Sequence, residues 1–250
     1  PAVASAAGSE TRAERGRKPG GVKDPRRARP PPPPSAPSTR PNSRVAAVFV
    51  SCSRLQPPEL ATEEPLTTAS EDIDRIVAGA HHDPFRVLGP HQLGDDGQRG
   101  WVVRAFLPDA EAAAVLASDG SRRHEMTRLH PAGLFQAMLP KSSWPLVYKL
   151  ELRNHEGHTW QIRDPYAFPP VLTDFDIHLL GEGTHLDAHD RLGTHVREVN
   201  GVRGVHFAVW APNAIRVSVV GMFNHWDGRR HPMRSHPGAG VWEIFIPDIG

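Results

Sequence analysis

The sequence predicts an all-β fold: two tandem immunoglobulin-like β-sandwiches, the second incomplete, after a disordered N-terminal tail and one short helix. Three observations predict it. Apolar and polar residues alternate in short segments separated by turn residues, as in pleated strands. A block of about 100 residues occurs twice, as expected for two related domains. The hydrophobic content of 38% is low for a fully globular chain, which indicates that part of it does not fold.

Residues 1–66 are predicted to form the disordered, basic tail. They hold half of the chain's 26 prolines, including the run Pro30–Pro34. Over residues 1–54 there are 11 Lys and Arg against 3 Asp and Glu, and no apolar periodicity precedes Val45. Such a segment cannot bury enough surface to offset its ordering entropy. We favour a solvated extension, with an electrostatic tether to an anionic surface as the alternative.

The composition argues against several functional classes. A formal net charge of +1 gives no large field to steer nucleic acid. The single cysteine, Cys52, excludes an internal disulfide and fits a reducing compartment. No apolar run approaches the roughly 20 residues that span a bilayer, and Val45–Cys52 is too short and too far from the start for a secretion signal. We expect a cytoplasmic monomer with no cofactor and no nucleic-acid or membrane partner.

Residues 67–175 are predicted to form one short helix and then the first sandwich. Thr68 and Glu71 make a capping box, and the apolar residues from Ile73 to Ala80 follow helical spacing. Alternation and intervening turn residues then predict strands at 101–106, 112–117, 134–139, 147–153 and 159–162.

The second copy of the repeat begins at an offset of 104 residues. RAFLPDA at 104–110 aligns with AVWAPNA at 208–214, and later offsets of 106 to 107 place two or three extra residues near Phe223–Arg230. The strands that follow Pro140 in the first copy have no counterpart in the second. We therefore expect the second sandwich to leave an unpaired edge.

Residues 176–200 are predicted to link the two sandwiches. His185 and His189 stand four apart with Asp187 between them, a spacing that could bind a metal on a helix. The neighbouring glycines favour a loop instead, and no third ligand is evident. We therefore expect no metal site.

Residues 201–250 are predicted to form the truncated second sandwich. It opens with a hairpin that turns at Pro212 and continues into an aromatic loop carrying Asn224 and Trp226. A Trp beside an amide on an exposed loop suits a sugar ring, because the C–H faces stack on the indole while the amide pairs with hydroxyls. The alternative is that Trp226 is a core or lid residue, and composition alone does not decide between them.

Four segments resemble the N-terminal region of bacterial glycogen branching enzymes. They are DPFRVLGPH at 83–91, DPYAF at 164–168, GEGTHL at 181–186, and VWAPNA at 209–214 with its continuation VSVVGMFNHWDGRRHPMR at 217–234. The similarity covers about residues 70–250 and excludes the tail. The WAPNA and FNxW elements are shared by sugar-binding modules across the α-amylase superfamily, whereas the first and third segments narrow the resemblance to branching enzymes.

The resemblance implies that the intact protein moves segments of α-1,4-glucan onto C6 hydroxyls, forming α-1,6 branches by retaining chemistry. The catalytic carboxylates of that family lie in a (β/α)8 barrel that follows the second sandwich, and these 250 residues do not include it. We therefore assign no catalytic residue and expect no branching activity from this chain. The implied partner is α-glucan, such as glycogen or amylose.

The resemblance also implies four carbohydrate-binding residues. Trp226 would stack on a glucose ring, with Asn224 either as its polar neighbour or as a turn residue that caps the loop. Related modules pair that Trp with a Lys and a second Trp, and the first copy carries Lys149 and Trp160 at the matching places. These two could equally be an ordinary strand Lys and a packed Trp. Each copy would then hold half of a binding platform.

Three classes of protein remain open. The leading hypothesis is an N-terminal portion of a branching enzyme. Both chain ends look cut, since the sequence begins with Pro1 rather than Met and stops at Gly250 just after a strand-like segment. A stand-alone glycogen-binding or starch-binding regulatory module is the alternative from a different class. Another enzyme of the superfamily, such as a debranching one, is disfavoured by Gly181–Leu186 and by the duplicated sandwich.

Overall fold

The computed structural model describes residues 47–51, 70–93, 100–117, 122–140 and 146–250. Within these ranges the chain forms two α-helices, α1 (Ser70–Val77) and α2 (Asp174–Glu182). The strands are β1 (Ala47–Ser51), β2 (Gly89–Gln92), β3 (Trp101–Phe106), β4 (Ala112–Ala117), β5 (Arg123–Glu125), β6 (Thr127–His130), β7 (Leu134–Leu139), β8 (Tyr148–Arg153), β9 (Thr159–Ile162), β10 (Gly193–Val199), β11 (Val202–Trp210), β12 (Arg216–Val220), β13 (Arg234–His236) and β14 (Val241–Pro247).

Strands β2 to β9 form the first sandwich from two four-stranded antiparallel sheets. One sheet has the order β2-β3-β7-β6, and the other has the order β5-β4-β8-β9. Alternate residues of facing strands meet in one buried cluster, with Trp101 and Val103 of β3 beside Leu150 and Leu152 of β8. All five strands expected between residues 101 and 162 form, which confirms the all-β prediction.

Strands β10 to β14, together with β1, form the second sandwich. Its larger sheet has the order β10-β11-β14-β13, and its smaller sheet pairs β1 with β12. Val205 and Phe207 of β11 share a buried cluster with Val217 and Val219 of β12, whereas Ala208 lies in a different cluster. The predicted period-2 alternation of the hairpin therefore separates an inner face from an outer one.

The strand β1 corrects two predictions. It lies inside the segment 1–66 that was predicted to be disordered; the rest of that segment falls outside the described residues. Its antiparallel register, from Ala47 opposite Val220 to Ser51 opposite Arg216, also occupies the edge of β12 that was predicted to be unpaired. The physical reason is a short apolar run, Val48–Val50, long enough to add one strand to an open edge although it cannot support a domain alone.

The region 176–200, predicted to be a linker, contains further regular structure. Helix α2, not predicted, begins at a capping box between Thr173 and Asp176 and ends at Gly183, whose φ of 71° suits glycine. The helix packs on the outer face of the larger sheet of the second sandwich through Ile177. Strand β10 then extends that sheet by pairing with β11. Neither helix in the described ranges is long and apolar enough to cross a membrane.

Some side chains from the N-terminal part of the chain pack into the hydrophobic core of the second sandwich. Ile76 of α1, Phe106 of β3 and Tyr166 belong to the same buried cluster as Phe207 and Val217 of the second sandwich. Because side chains from both sandwiches exclude water from one another, the relative position of the sandwiches is set by packing.

Candidate functional site

The loop Gly221–Trp226 follows β12 and carries the aromatic residues from which a sugar site is predicted. It contains a single 3-10 turn, Met222–Asn224, after which His225 and Trp226 both adopt left-handed backbone conformations, with φ of 58° and 61°. Each such conformation costs a non-glycine residue on the order of 1–2 kcal/mol. Surrounding contacts must therefore hold the loop in place.

Asn224 supplies most of those contacts. Its side chain is buried: Oδ1 accepts a hydrogen bond from the Gly221 amide at 2.8 Å, and Nδ2 donates to the Val219 carbonyl at 2.8 Å. Nδ2 also lies 3.0 Å from Nδ1 of His231. Burial and the charge of Arg230 lower the pKa of His231 to about 4, so at neutral pH its ring nitrogen can accept this bond. Of its two predicted roles, Asn224 therefore has the second, as the residue that caps the loop.

Trp226 lies on the surface at the end of this loop. Its backbone amide donates to the Gly221 carbonyl at 2.9 Å, and its indole Nε1 donates to Sδ of Met222 at 3.3 Å. Its side chain is 51% exposed, and Met222 beside it is 54% exposed. The loop therefore presents a large aromatic ring to solvent at a fixed position, rather than burying it in the core.

The residues after the loop form ion pairs with one another and with the first sandwich. Arg230 donates to both carboxylate oxygens of Asp109, at 2.5 and 2.7 Å. Asp227 accepts hydrogen bonds from Arg229 at 2.9 and 2.8 Å. The hydrogen bond from Arg230 lowers the pKa of Asp109, so this bidentate bridge holds an ionised carboxylate at neutral pH.

A cleft of about 460 Å³ lies between the two sandwiches beside this loop. Trp160 of β9 and Phe223 of the loop both line it, and they are 37% and 38% exposed. Arg163 and Asp248, which also line it, form an ion pair at 2.5 Å between the first sandwich and the segment after β14. The cleft thus combines aromatic surface from both copies of the repeat with charged hydrogen-bonding groups.

The predicted pair of Lys149 and Trp160 does not form one platform. In the β8–β9 ladder Trp160 lies opposite Leu152, so both point to the core-facing side of the sheet. Lys149 alternates with the buried Leu150 and Leu152 and therefore points to the other side. The structure instead brings Trp160 to the same cleft as Phe223 of the second copy.

His185 and His189 do not lie on one helix and do not converge. Nε2 of His185 lies 3.0 Å from Oδ1 of Asp176, which also accepts from Nε of Arg191 at 2.9 Å. The nearest carboxylate to His189 is that of Asp190, at 3.5 Å. Within the described ranges, no group of three or more His, Cys, Asp or Glu side chains could hold a metal ion.

Sequence reasoning missed the cleft and the residues that build it. Phe223 was noted only as part of the loop motif, and nothing in the alternation of β9 places Trp160 beside it. One signal was available: the extra residues of the second copy fall within 223–230, so this loop has no counterpart on the first sandwich and can reach across to it.

Two family matches divide the chain in the same way as the structure. Residues 69–166 match the family described as alpha-1,4-glucan branching enzyme GlgB, N-terminal domain. Residues 191–250 match carbohydrate-binding module 48, described as the isoamylase N-terminal domain. The second match begins just before β10 and includes the loop that carries Trp226.

Curated relatives extend this similarity. The chain is 55% identical over 181 residues to the 1,4-alpha-glucan branching enzyme GlgB of Paramagnetospirillum magneticum, covering 72% of this chain and 23% of that protein. It is 49% identical over 186 residues to the GlgB enzyme of Thermosynechococcus vestitus, covering 74% and 24%. For the GlgB enzyme of Rhodospirillum rubrum the identity is 48% over 182 residues, covering 72% and 24%.

The chain thus spans about a quarter of the length of the curated relatives it matches. Within that span, the tandem sandwiches, the GlgB N-terminal match and the carbohydrate-binding-module match follow one another in order. The chain is therefore similar to GlgB branching enzymes, with a match to their N-terminal domain at residues 69–166 and a match to carbohydrate-binding module 48 at residues 191–250.

Proposed function

We propose that this chain is the amino-terminal portion of a 1,4-α-glucan branching enzyme, which transfers α-1,4-glucan segments to form α-1,6 branches in glycogen biosynthesis. Its own role is to bind α-glucan and to position that glucan for a catalytic domain. Identities of 48–55% to three GlgB enzymes, over nearly three quarters of this chain, support this proposal.

The observation that carries the binding role is the exposure of Trp226 on a rigid loop. The exposed indole lies beside the exposed side chain of Met222, within the residues matched to a carbohydrate-binding module, and a glucose ring offers an apolar face that can stack on it. Asn224 contributes indirectly, by holding the loop, because its amide is already saturated with partners inside the protein.

Trp160 is the second proposed glucan contact, through the cleft it shares with Phe223. Arg163 and Asp109 also line the cleft, and each forms an ion pair with another residue. They supply donors and acceptors of the kind that bind sugar hydroxyls. Lys149 lies on the other side of the β8 sheet, so any glucan contact it makes is separate from this one.

The chemistry of the intact enzyme is proposed to be retaining transfer, with a sugar hydroxyl in place of water as acceptor. The described residues supply the glucan surface, and no catalytic carboxylate is assigned among them. We further propose a cytoplasmic location, which the single cysteine supports, and a monomeric state. A stand-alone regulatory module is the less favoured candidate, because the similarity covers the branching-enzyme N-terminal domain as well as the sugar-binding module.

Affinity electrophoresis in gels containing glycogen tests the binding role. The 250-residue chain should be retarded, and Trp226→Ala should lose most of that retardation. Stacking that buries about 60 Å² of apolar surface is worth ~1.5 kcal/mol, or about a tenfold change in affinity.

Trp210→Ala is the matched control, since Trp210 is 60% exposed but lies outside the loop and the cleft. Equal retardation of the wild type and Trp226→Ala would remove Trp226 from the site. Absence of retardation in the wild type would contradict the binding role itself.

A further inference from the structure

A second cleft lies on the outer face of the larger sheet of the second sandwich. Its walls come from α2, from the segment 184–190 that follows α2 and from β10, and its volume is about 650 Å³. Ligand clefts have volumes of roughly 300–1,000 Å³. It shares no lining residue with the cleft between the two sandwiches. Most of its lining residues lie within 175–190, which belong to neither family match, so neither match accounts for it.

Phe175 and Leu179 supply the apolar wall of this second cleft. They lie four residues apart on α2 and therefore share one face of the helix. The face that packs on the sheet carries Ile177 and Leu180 instead. Phe175 is 66% exposed, and Leu186, which also lines the cleft, is 94% exposed. The cleft therefore presents an aromatic ring and aliphatic surface to solvent.

Asp176 organises the polar wall. Its carboxylate accepts hydrogen bonds from Nε of Arg191 at 2.9 Å and from the hydroxyl of Thr173 at 2.7 Å, and its Oδ1 lies 3.0 Å from Nε2 of His185. Burial opposes ionisation, but the hydrogen bonds from His185 and Thr173 outweigh it and hold the pKa of Asp176 well below its ordinary value. One ionised carboxylate thus ties the start of α2 to the segment that follows the helix.

One polar atom of this wall lacks a partner. The side chain of His185 is 9% exposed, and its Nδ1 has no hydrogen-bond partner among the residues that the structure describes. Since Nε2 donates to the ionised Asp176, Nδ1 of the neutral ring is an acceptor. A buried acceptor left unpaired destabilises the folded chain. A hydroxyl donor that enters the cleft would relieve that cost.

The charges of the second cleft favour a neutral ligand. Three carboxylates and two guanidinium groups line it, so their formal charges nearly cancel; they belong to Asp176, Asp187, Asp190, Arg191 and Arg197. A phosphate or another strongly charged ligand would meet no field of opposite sign. A sugar can stack its C–H face on an aromatic ring and exchange hydrogen bonds with the polar groups around that ring. The cleft therefore fits an oligosaccharide.

We propose that the second cleft is a further α-glucan site, in which Phe175 stacks on a glucose ring and Nδ1 of His185 accepts a hydrogen bond from a sugar hydroxyl. The choice of α-glucan among neutral sugars rests on the proposed function of the chain. Because the two clefts share no residue, this site binds glucan without the contribution of Trp226.

Nuclear magnetic resonance of the full 250-residue chain tests the site. In a Trp226→Ala background, titration with maltoheptaose should shift the backbone amide signals of residues 184–187 along saturating curves, and the ¹⁵N signal of His185 Nδ1 should move with them. Cellohexaose, a β-linked control, should leave all of them fixed. Absence of a saturable shift with maltoheptaose would overturn the proposal. Equal shifts with cellohexaose would overturn the assignment to α-glucan.

Substitution of Phe175 tests the stacking contact. In the same background, Phe175→Ala and Phe175→Leu should each raise the apparent Kd about tenfold, because both remove the stacked ring. His178→Ala is the matched control, since His178 is an exposed ring on α2 that does not line the cleft. Hydrogen-exchange protection of the Ile177 amide, which donates to the Thr173 carbonyl at 2.9 Å, reports that α2 is folded in each variant. Unchanged affinity in both Phe175 variants would overturn the proposal.

The Trp226 indole signal of the wild type distinguishes this proposal from the proposed function. If that indole moves with maltoheptaose while residues 184–187 stay fixed, the second site is overturned and the first stands. If residues 184–187 move and the indole stays fixed, the second site stands and the role of Trp226 is overturned. If neither moves, both are overturned.

Discussion

Asn224 is the residue on which the position of Trp226 depends. It bonds to both sides of the loop, at the Gly221 amide and the Val219 carbonyl, from a buried position. Two left-handed residues follow it directly, and their conformational cost has to be offset by such contacts. The Asn224 amide thus supports the loop from within, although the FNxW pattern first indicates a direct sugar contact.

Replacing Asn224 by Ala should destabilise the chain by about 2–3 kcal/mol, because a buried amide and a buried carbonyl lose their partners. Urea unfolding measures this change. Asn213→Ala, at an exposed turn residue, is the control and should stay within about 0.5 kcal/mol of the wild type. An Asn224→Ala variant as stable as that control would show that the loop holds its shape without the amide.

At the scale of an element, Glu243 of β14 joins the larger sheet of the second sandwich to the segment before α2. Its buried carboxylate accepts hydrogen bonds from the amides of Val171 and Leu172, and it lies 2.9 Å from Nε2 of His206 and 2.7 Å from Nε2 of His236. Burial opposes ionisation, but the hydrogen bonds outweigh it and lower the pKa of Glu243 from 4.5 to about 2.

The sign of the resulting pH dependence follows from that lowered pKa. The stabilisation is fully present above pH 4.5, the pKa in the unfolded chain, and it is lost as the pH falls towards 2. Asp164 has the opposite effect on stability, over a different pH range. Burial raises its pKa from 3.8 to about 6, so its contribution to stability falls as the pH rises from 3.8 to 6.

Glu243→Gln should therefore flatten the loss of stability between pH 4.5 and 2, and it should destabilise the chain at pH 7 by about 2 kcal/mol because a charged acceptor is lost. Urea midpoints measured across this range give both quantities. Glu198→Gln, at an exposed position of β10, should reproduce the wild-type curve. If the two variants show the same slope below pH 4.5, Glu243 does not carry the acid sensitivity.

At the scale of the whole molecule, side chains of both sandwiches meet in one buried cluster, and we expect the two sandwiches to unfold together. Phe106 of the first sandwich lies in the same buried cluster as Phe207 and Val217 of the second. Substitutions there should reach both sandwiches, since neither can repack its surface independently. The cleft beside the loop Gly221–Trp226 depends on the same packing, because its walls come from both sandwiches.

Phe106→Ala should cost about 3–5 kcal/mol and lower the urea midpoint for both sandwiches together, in a single transition. Hydrogen exchange of β3 and of β11 measures each sandwich separately. Phe175→Ala is the control, since Phe175 on α2 is 66% exposed and should change neither. An effect of Phe106→Ala confined to the first sandwich would contradict a shared core.

Sequence alone predicts local features of this molecule better than long-range ones. The strands of the first sandwich follow from alternation, and the repeat between 104–110 and 208–214 identifies a second domain. Helix α2 was missed because Gly181 and Gly183 resemble a turn, although Gly183 is the residue that ends the helix. The pairing of β1 with β12 joins residues 169 positions apart, from Phe49 to Ser218, which no local pattern encodes.

The same holds for the candidate site: its local motif could be predicted from the sequence, but its long-range contacts could not. Trp226 on an exposed loop follows from the motif, and the duplication explains why its loop has no equivalent in the first copy. The separation of Lys149 from Trp160 requires the β8–β9 register, and the meeting of Trp160 with Phe223 requires the packing of two domains.

The most direct test of the central claim, that this chain binds α-glucan through Trp226, is the indole N–H spectrum of the six tryptophans titrated with maltoheptaose. Trp226→Phe assigns the signal. The account predicts that the Trp226 indole shifts most and that the buried Trp101 and Trp242 signals stay fixed. A Trp226 signal that does not move at saturating maltoheptaose would contradict it.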